Sequence, residues 1–330
     1  MRAVGLDFEH RTVTERDVAE PAAPAAGEAL LRIHEIGVCA TDRELARFRF
    51  GAPPEGQSFL TIGHEVLAEV LECAGGMSRG DWVVPMIRRS CAARCEACRS
   101  GRRDLCRTGQ YLERGIQGAH GYFAPLAVDP IEELMPVPQG LLEVAALAEP
   151  LSVVEKAVDT AFRAHPLGPA SAVVAGAGPI GLLAAMLLEM RGLAVTVVSL
   201  EPEASPRAAL VRKAGARYLS KSRPDDADIV IECSGSADEV LEWLAPNGVL
   251  VLVGAPEREM EVAPVRMMAS NMTVTGVVNA SRAHFEASLR DLARMPRNWL
   301  ESLIERRAFE RWPESLRGQT EPAKILHRMA

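Results

Sequence analysis

No uncharged apolar stretch in this sequence reaches the ~20 residues that a membrane-spanning helix needs. The nearest candidate, Pro179 to Leu188, is about half that length, so no membrane partner is expected. An excess of positive charge is also missing: 37 Lys and Arg stand against 44 Asp and Glu, a net charge of -7. That balance disfavours a dedicated binder of nucleic acid or anionic lipid and points to small molecules as partners. The opening residues, MRAVGLDFEHRTV, lack the apolar core and small-residue cleavage site of an export signal, so a cytoplasmic location is expected. Cysteine is sparse and odd in number, at 7 residues. In a reducing compartment, clustered thiols more often bind metal than pair as disulfides.

What is present reads as a globular chain, 48% hydrophobic and 25% charged, whose 330 residues suggest two domains. As far as about Asp129, short β-like runs such as EALLRI and DWVVPM are broken by Gly, Pro and polar clusters, which predicts an irregular all-β half. From about Ala170 the texture becomes strand, helix, strand: SAVVAGAG, GPIGLLAAMLLEM, AVTVVSL, then DIVIECSG and GVLVLVG. This predicts a doubly wound α/β domain. The segment LLEVAALAEPLSVVEKAVDTAFRA between them reads as helical, interrupted by Pro150, and as a hinge between the domains, with the boundary near residue 155. The expected organisation is therefore 1–155, 156–278, and a tail 279–330. The tail carries helical runs at HFEASLRDLARM and NWLESLIERR and is expected to pack back on the first domain.

Gly176, Gly178 and Gly181 form a G-x-G-x-x-G directly after the apolar run SAVVA, and Pro179 and Ile180 open the next helix. Glycines in that setting allow a tight turn and close approach of a pyrophosphate, and the helix N-terminus supplies free N–H groups. Gly176, Gly178, Pro179, Ile180 and Gly181 are thus the candidate dinucleotide contacts. Glu201 comes after the second strand, about 20 residues beyond Gly181, where a carboxylate binds both ribose hydroxyls and repels a 2′-phosphate, which predicts NAD over NADP. Arg207 is near enough in sequence to fold back and receive a 2′-phosphate, the competing reading.

Cys91, Cys95, Cys98 and Cys106 occur as C-x3-C-x2-C-x7-C in a Gly- and Arg-rich lobe, about 88–107, close enough to enclose one tetrahedral ion. Four thiolates leave no open position, so this site is expected to be structural, its metal affinity serving as folding energy. Cys39 in GVCATD, with His64 and Glu65 in TIGHEV, makes a thiolate, imidazole and carboxylate set suited to a catalytic zinc, with Glu149 in LAEPLS as a possible further ligand. Three negative charges overcompensate a dication, so one Glu is expected to bind weakly, Glu149 being the less certain ligand. Cys73 and Cys233 lack ligand neighbours in sequence and read as structural.

Together with CEACRSGRRDLC, TGQYLERGIQGAHGYFAP, AEPLSVVEKA and GVVNASRAHFEASL, these motifs resemble the zinc-containing medium-chain dehydrogenases, and within them the glucose 1-dehydrogenase branch, over essentially the whole chain. The resemblance implies a GroES-like β-rich catalytic domain and a Rossmann cofactor domain, with the tail returning to the former. It implies catalytic zinc at Cys39, His64 and Glu65, Glu149 as a nearby acid, structural zinc at the four lobe cysteines, and Thr41 as the hydroxyl residue near the metal. In the family's sugar-binding positions stand Glu113, Glu155, and Asn279 near the nicotinamide. A homo-oligomer, dimer or tetramer, is also implied.

The expected reaction is hydride transfer between a secondary alcohol of a sugar or polyol, C1 of a glucose-like aldose first, and NAD(P). Two departures bear on specificity. The Cys91 to Cys95 interval is one residue longer than is usual in the branch, and SLEPEASPR lacks the adjacent Arg pair of NADP-using glucose dehydrogenases. Two alternatives stand beside this reaction: a pathway-specific dehydrogenase of a modified sugar, cyclitol or amino alcohol, and a zinc-ribbon nucleic-acid-binding protein, suggested by the arginines of the lobe.

Overall fold

The long strand Glu28–Val38 organises the first domain because its apolar residues change phase part-way along it. The computed structural model, which describes residues 1–235, 239–255, 259–317 and 323–329, buries Ala29, Leu31 and Ile33, and then, after a register shift between Ile33 and Glu35, Ile36 and Val38. A bulge of this kind bends a strand and re-aims the residues beyond it, here Cys39. One edge of the strand pairs antiparallel with Glu65–Cys73; the other is shared between Leu126–Pro130, at residues 28–32, and Lys324–Arg328, at residues 35–38. With Trp82–Pro85, Leu134–Pro136 and Ile304–Ala308 these make a seven-stranded sheet. A three-stranded sheet of Thr12–Asp17, Arg2–Asp7 and Phe59–Thr61 contributes Val4, Leu6 and Leu60 to the same core as Leu31 and Ile36.

The second domain is a six-stranded sheet, parallel throughout, in the order Arg217–Ser220, Ala194–Ser199, Ser171–Ala175, Ala227–Glu232, Leu244–Leu252, Thr273–Gly276. Its inner strands are apolar along their length because both faces are covered. The chain order reverses on either side of Ser171–Ala175, and the crevice beyond the carboxyl ends of strands at such a point is where open α/β sheets take ligands. The glycine loop begins there, at Gly176.

The linking segment differs from its sequence reading. Pro150 lies in the first turn of a continuous helix, Ala148–Ala164, preceded by a 3-10 helix, Gln139–Leu147. First-turn N–H groups have no acceptor within the helix, so proline there costs no hydrogen bond, and the helix runs unbroken through residue 155. In the tail, Arg282–Leu292 is a helix, but NWLESLIERR is helical only to Ser302, and Ile304–Ala308 is a strand paired parallel with Lys324–Arg328. An open sheet edge has overridden local helical preference. Both tail strands join the seven-stranded sheet, and that pairing carries Lys324 to the end of Glu28–Val38.

Candidate active site and metal centres

Cys39 caps the short helix Ala40–Ala46: its Sγ accepts from the Thr41 amide at 3.2 Å, and the Cys39 amide donates to Asp42 Oδ2 at 2.9 Å. Thr41, half-buried, is thereby fixed beside the sulfur. Glu65 opens the neighbouring strand opposite Gly37, where a Cβ would stand 2.2 Å from Glu65 Oε2, so glycine leaves the carboxylate its room. One ligand atom from each of Cys39, His64 and Glu65 lies within 4.8 Å of the others, and Cys39 Sγ is 3.1 Å from His64 Nε2.

The electrostatics of this pocket ask for a cation. Burial opposes charge on His64, yet the Cys39 thiolate and the Asp42 carboxylate push its pKa well up. Asp42 Oδ1 stands 3.4 Å from His64 Nδ1, in ion-pair range, but neither atom completes a hydrogen bond. Burial, reinforced by Glu65 and Asp42, pushes the Glu149 carboxyl up to about 7 against the pull of His64 and Lys324. Cys39, His64 and Glu65 thus form a donor set of the softness and charge that zinc takes, with Asp42 and Glu149 as further acidic groups outside that converging set.

Lys324 partly answers the excess charge, and sequence reasoning missed it. Its Nζ is 2.5 Å from both oxygens of Glu65, and both side chains are buried. Glu65 is therefore the carboxylate already held by a counter-ion, whereas the charge argument from sequence singled out Glu149. Asp42 was legible as the third residue of a helix capped at Cys39. Lys324 had no such signal, since only strand pairing brings it here.

Cys91, Cys95, Cys98 and Cys106 converge with all four sulfurs within 4.8 Å of one another. The extra residue is taken up by a turn in which the Arg94 amide donates to the Cys91 carbonyl at 2.8 Å, with Arg94 at φ 43°. The arginines around the lobe are largely neutralised within the molecule: Arg88 pairs with Glu113, Arg89 with Asp129, Arg102 with Asp104, Arg103 with Glu133 and Arg107 with Glu96. That removes the observation on which the nucleic-acid reading rested.

The three glycines of the dinucleotide loop do different work. Gly176 turns the chain at φ 103°, Gly178 faces open space at the head of helix Pro179–Met190, and a Cβ on Gly181 would lie 1.9 Å from the Gly176 carbonyl. Pro179 and Ile180 form the first turn, where no side chain caps the free amides. Glu201 bonds the Ser199 hydroxyl and pairs with Arg207 at 2.6 Å, so Arg207 does fold back, onto the acid itself.

Glu113 and Asn279 meet across the two domains. Glu113 Oε1 accepts from Asn279 Nδ2 and Arg88 Nε, each at 2.9 Å, with Arg88 Nη2 in ion-pair contact at 2.9 Å, and Oε2 has no hydrogen-bond partner among the described residues. Asn279 adopts φ 57° and turns its own Oδ1 to the Ala280 amide. Glu155 does not join them. It faces Arg191 at 3.3 Å, and Arg191 holds Asp291 at 2.6 Å. Arg191 caps the far end of helix Pro179–Met190, about 18 Å along the axis from the glycine loop. The sugar-contact reading of Glu155 is thus corrected: its motif is helical, and the helix turns this residue toward Arg191.

Burial, with Asp291 beside it, pushes Glu155 up from 4.5 to about 8 against the pull of Arg191. The folded protein therefore keeps a proton that the unfolded chain releases, and stability falls as pH climbs from about 4.5 to about 8. Glu155→Gln will flatten that fall, read as urea midpoints at pH 5 and pH 8. An unchanged slope would mean that the proton resides elsewhere.

A profile of the glucose dehydrogenase C-terminus matches residues 142–324, and one of the alcohol dehydrogenase GroES-like domain matches 25–139. Over 339 aligned positions the chain is 39% identical to a glucose 1-dehydrogenase of Methanocella arvoryzae, covering 94% of each chain. The chain belongs to the glucose dehydrogenase branch of the zinc-containing medium-chain dehydrogenases. A glucose 1-dehydrogenase of Thermoproteus tenax is 40% identical over 295 positions, covering 84% of this chain and 83% of that one. Among solved structures, Haloferax mediterranei glucose dehydrogenase in complex with NADP, Zn and gluconolactone superposes at a TM-score of 0.93 and 28% identity, covering 100% of this chain and 99% of the other.

Proposed function

We propose that this branch member is a zinc-dependent dehydrogenase acting at C1 of a glucose-like aldose, with NAD preferred to NADP. The observation that carries the reading is the close packing of Gly115 on Gly63, which sets the segment carrying Glu113 and its partner Asn279 beside the one carrying His64 and Glu65 of the cation-seeking pocket. Zinc, when bound, supplies Lewis acidity to the reacting hydroxyl, and the nicotinamide accepts the hydride.

The chain does the rest. Glu113 Oε2 is free to accept from a sugar hydroxyl, and the amide group of Asn279 offers a second contact beside it. Thr41 carries the reacting proton outward from the buried pocket, its hydroxyl able both to accept and to donate. Glu149, in the same pocket, is the nearby acid. Cys91, Cys95, Cys98 and Cys106 hold the structural ion.

The NAD preference rests on Glu201, and its neutralisation by Arg207 makes the preference modest. Against a panel of aldoses, polyols, cyclitols and amino alcohols, NAD is expected to exceed NADP in kcat/KM on the best aldose, and Glu201→Ala to shift that ratio by about tenfold toward NADP, roughly 1.4 kcal/mol. Higher kcat/KM with NADP in the unaltered enzyme would overturn the NAD reading, and turnover confined to a non-aldose would transfer the enzyme to the pathway-specific alternative.

Self-association into a dimer or tetramer is the accompanying proposal. It is supported by the edge strand Thr273–Gly276, unpaired on its outer side among the described residues, next to exposed Val265 and Met268. A cytoplasmic location is proposed from the seven free thiols. Among the described residues, no helix is long and apolar enough to cross a membrane.

A further inference from the structure

Lys156 is next to Glu155 on the linking helix but faces another way, and neither the metal sites nor the dinucleotide loop accounts for it. Its side chain is 7% exposed. Its Nζ makes two contacts: Asp104 Oδ2 at 3.0 Å, inside the cysteine lobe between Cys98 and Cys106, and the Val278 carbonyl at 3.0 Å, one residue before Asn279. A second connection runs parallel to it. Arg88 Nη1 donates to the Asp104 carbonyl at 3.3 Å while the same guanidinium grips Glu113, and the Tyr111 ring lies 3.7 Å from its carbon. Glu113 then meets Asn279. One lobe residue, Asp104, is therefore tied by Lys156 to the backbone carrying Asn279, and by Arg88 to the carboxylate of Glu113.

Asparagine tolerates the φ of 57° at Asn279, but where its side chain meets Glu113 depends on the backbone that carries it, and the Val278 carbonyl is the point at which that backbone is held. We propose that Lys156 is a positioning residue for the sugar site, fixing Asn279 against Glu113 by anchoring the Val278 carbonyl to the cysteine lobe. The proposal rests on the reading of Glu113 and Asn279 as sugar contacts. Without Lys156, Asp104 keeps both hydrogen bonds from Arg102 at 2.9 Å, so the lobe retains its own ion pair. The loss falls on the Val278–Asn279 backbone.

The test uses the zinc-replete enzyme and compares Lys156→Met, Lys156→Arg and Asn279→Ala. Lys156→Met is expected to raise the aldose KM about tenfold or more, as a displacement of roughly 1 Å in a positioned contact does. The dinucleotide KM is expected to change less than about twofold and exchange at the Ala280 amide to quicken, while Lys156→Arg returns most of the effect. Asn279→Ala raises the same KM. If Asn279→Ala raises the KM and Lys156→Met leaves both KM and Ala280 exchange at the parent value, Lys156 does not position the site. If Asn279→Ala leaves the KM unchanged, the sugar-contact reading fails and the proposal with it. A lowered Tm with unchanged KM would make Lys156 purely structural. Should Lys156→Met not fold, Asp104→Asn weakens the same anchor and is expected to raise the aldose KM in the same direction; no rise would overturn the proposal.

Discussion

Cys39→Ser is expected to lower kcat/KM on the best aldose by roughly 10^3-fold or more, equivalent to the several kcal/mol that a Lewis acid contributes to a developing alkoxide. The substitution is chosen so that the fold survives it. Cys39 is a helix N-cap whose sulfur accepts the Thr41 amide and whose own amide binds Asp42, and serine is among the best residues for that position. What is lost is the soft sulfur 3.1 Å from His64. Metal analysis should therefore show one zinc fewer per chain, with melting temperature and dinucleotide affinity close to the parent values. A serine variant with full turnover would remove Cys39 from the catalytic set. A variant that lost dinucleotide binding as well would show that the damage had spread beyond the pocket.

How far the sequence reaches into this site depends on the range of the interactions involved. The glycine loop was readable in detail because its function is local: a turn, an approach and a helix start lie within six residues, with Gly176 required by its φ and Gly181 by its contact with the Gly176 carbonyl. The cysteine lobe was readable for the same cause, its four ligands falling within one short segment. Cys39 and His64, 25 residues apart, were joined by their chemistry as ligands and by the family's pattern, not by spacing.

Lys324 could not be read at all. It reaches Glu65 from 259 residues away, and nothing in KILHR distinguishes a lysine that enters the pocket from one that faces solvent. Arg88 and Lys156 were missed for the same reason, since a cation gains its role from the partner that the topology delivers. Glu155 shows the converse error. A motif fixed its place in sequence, but which side of the helix it occupied depended on where Arg191 and Asp291 came to lie. The fold class, by contrast, rests on patterns repeated along whole strands and helices, which single long-range contacts do not disturb.

Cys98→Ser is expected to release the second zinc and open the lobe while most of the molecule stays folded. Between Cys91 and Cys106 only Cys91, Cys98 and Asp104 are buried, and Leu105 is 50% exposed, so no apolar core holds the segment together. Its order must come from the metal, whose affinity in small zinc sites amounts to roughly 10–16 kcal/mol at neutral pH and is spent on folding the loop around it. Five arginines lie in or beside the segment, at Arg94, Arg99, Arg102, Arg103 and Arg107, which makes trypsin a direct reporter. The variant should be cut there far faster than the parent, whose lobe becomes equally sensitive after strong chelation. The consequence need not stop at the lobe. Asp104 is the common anchor of Lys156 and Arg88, so an opened lobe frees the backbone at Val278 and loosens the guanidinium that holds Glu113. The aldose KM is then expected to rise while the dinucleotide KM, set at the glycine loop, holds. A Cys98→Ser enzyme that kept its zinc and its resistance to trypsin would show that the lobe folds on protein contacts alone.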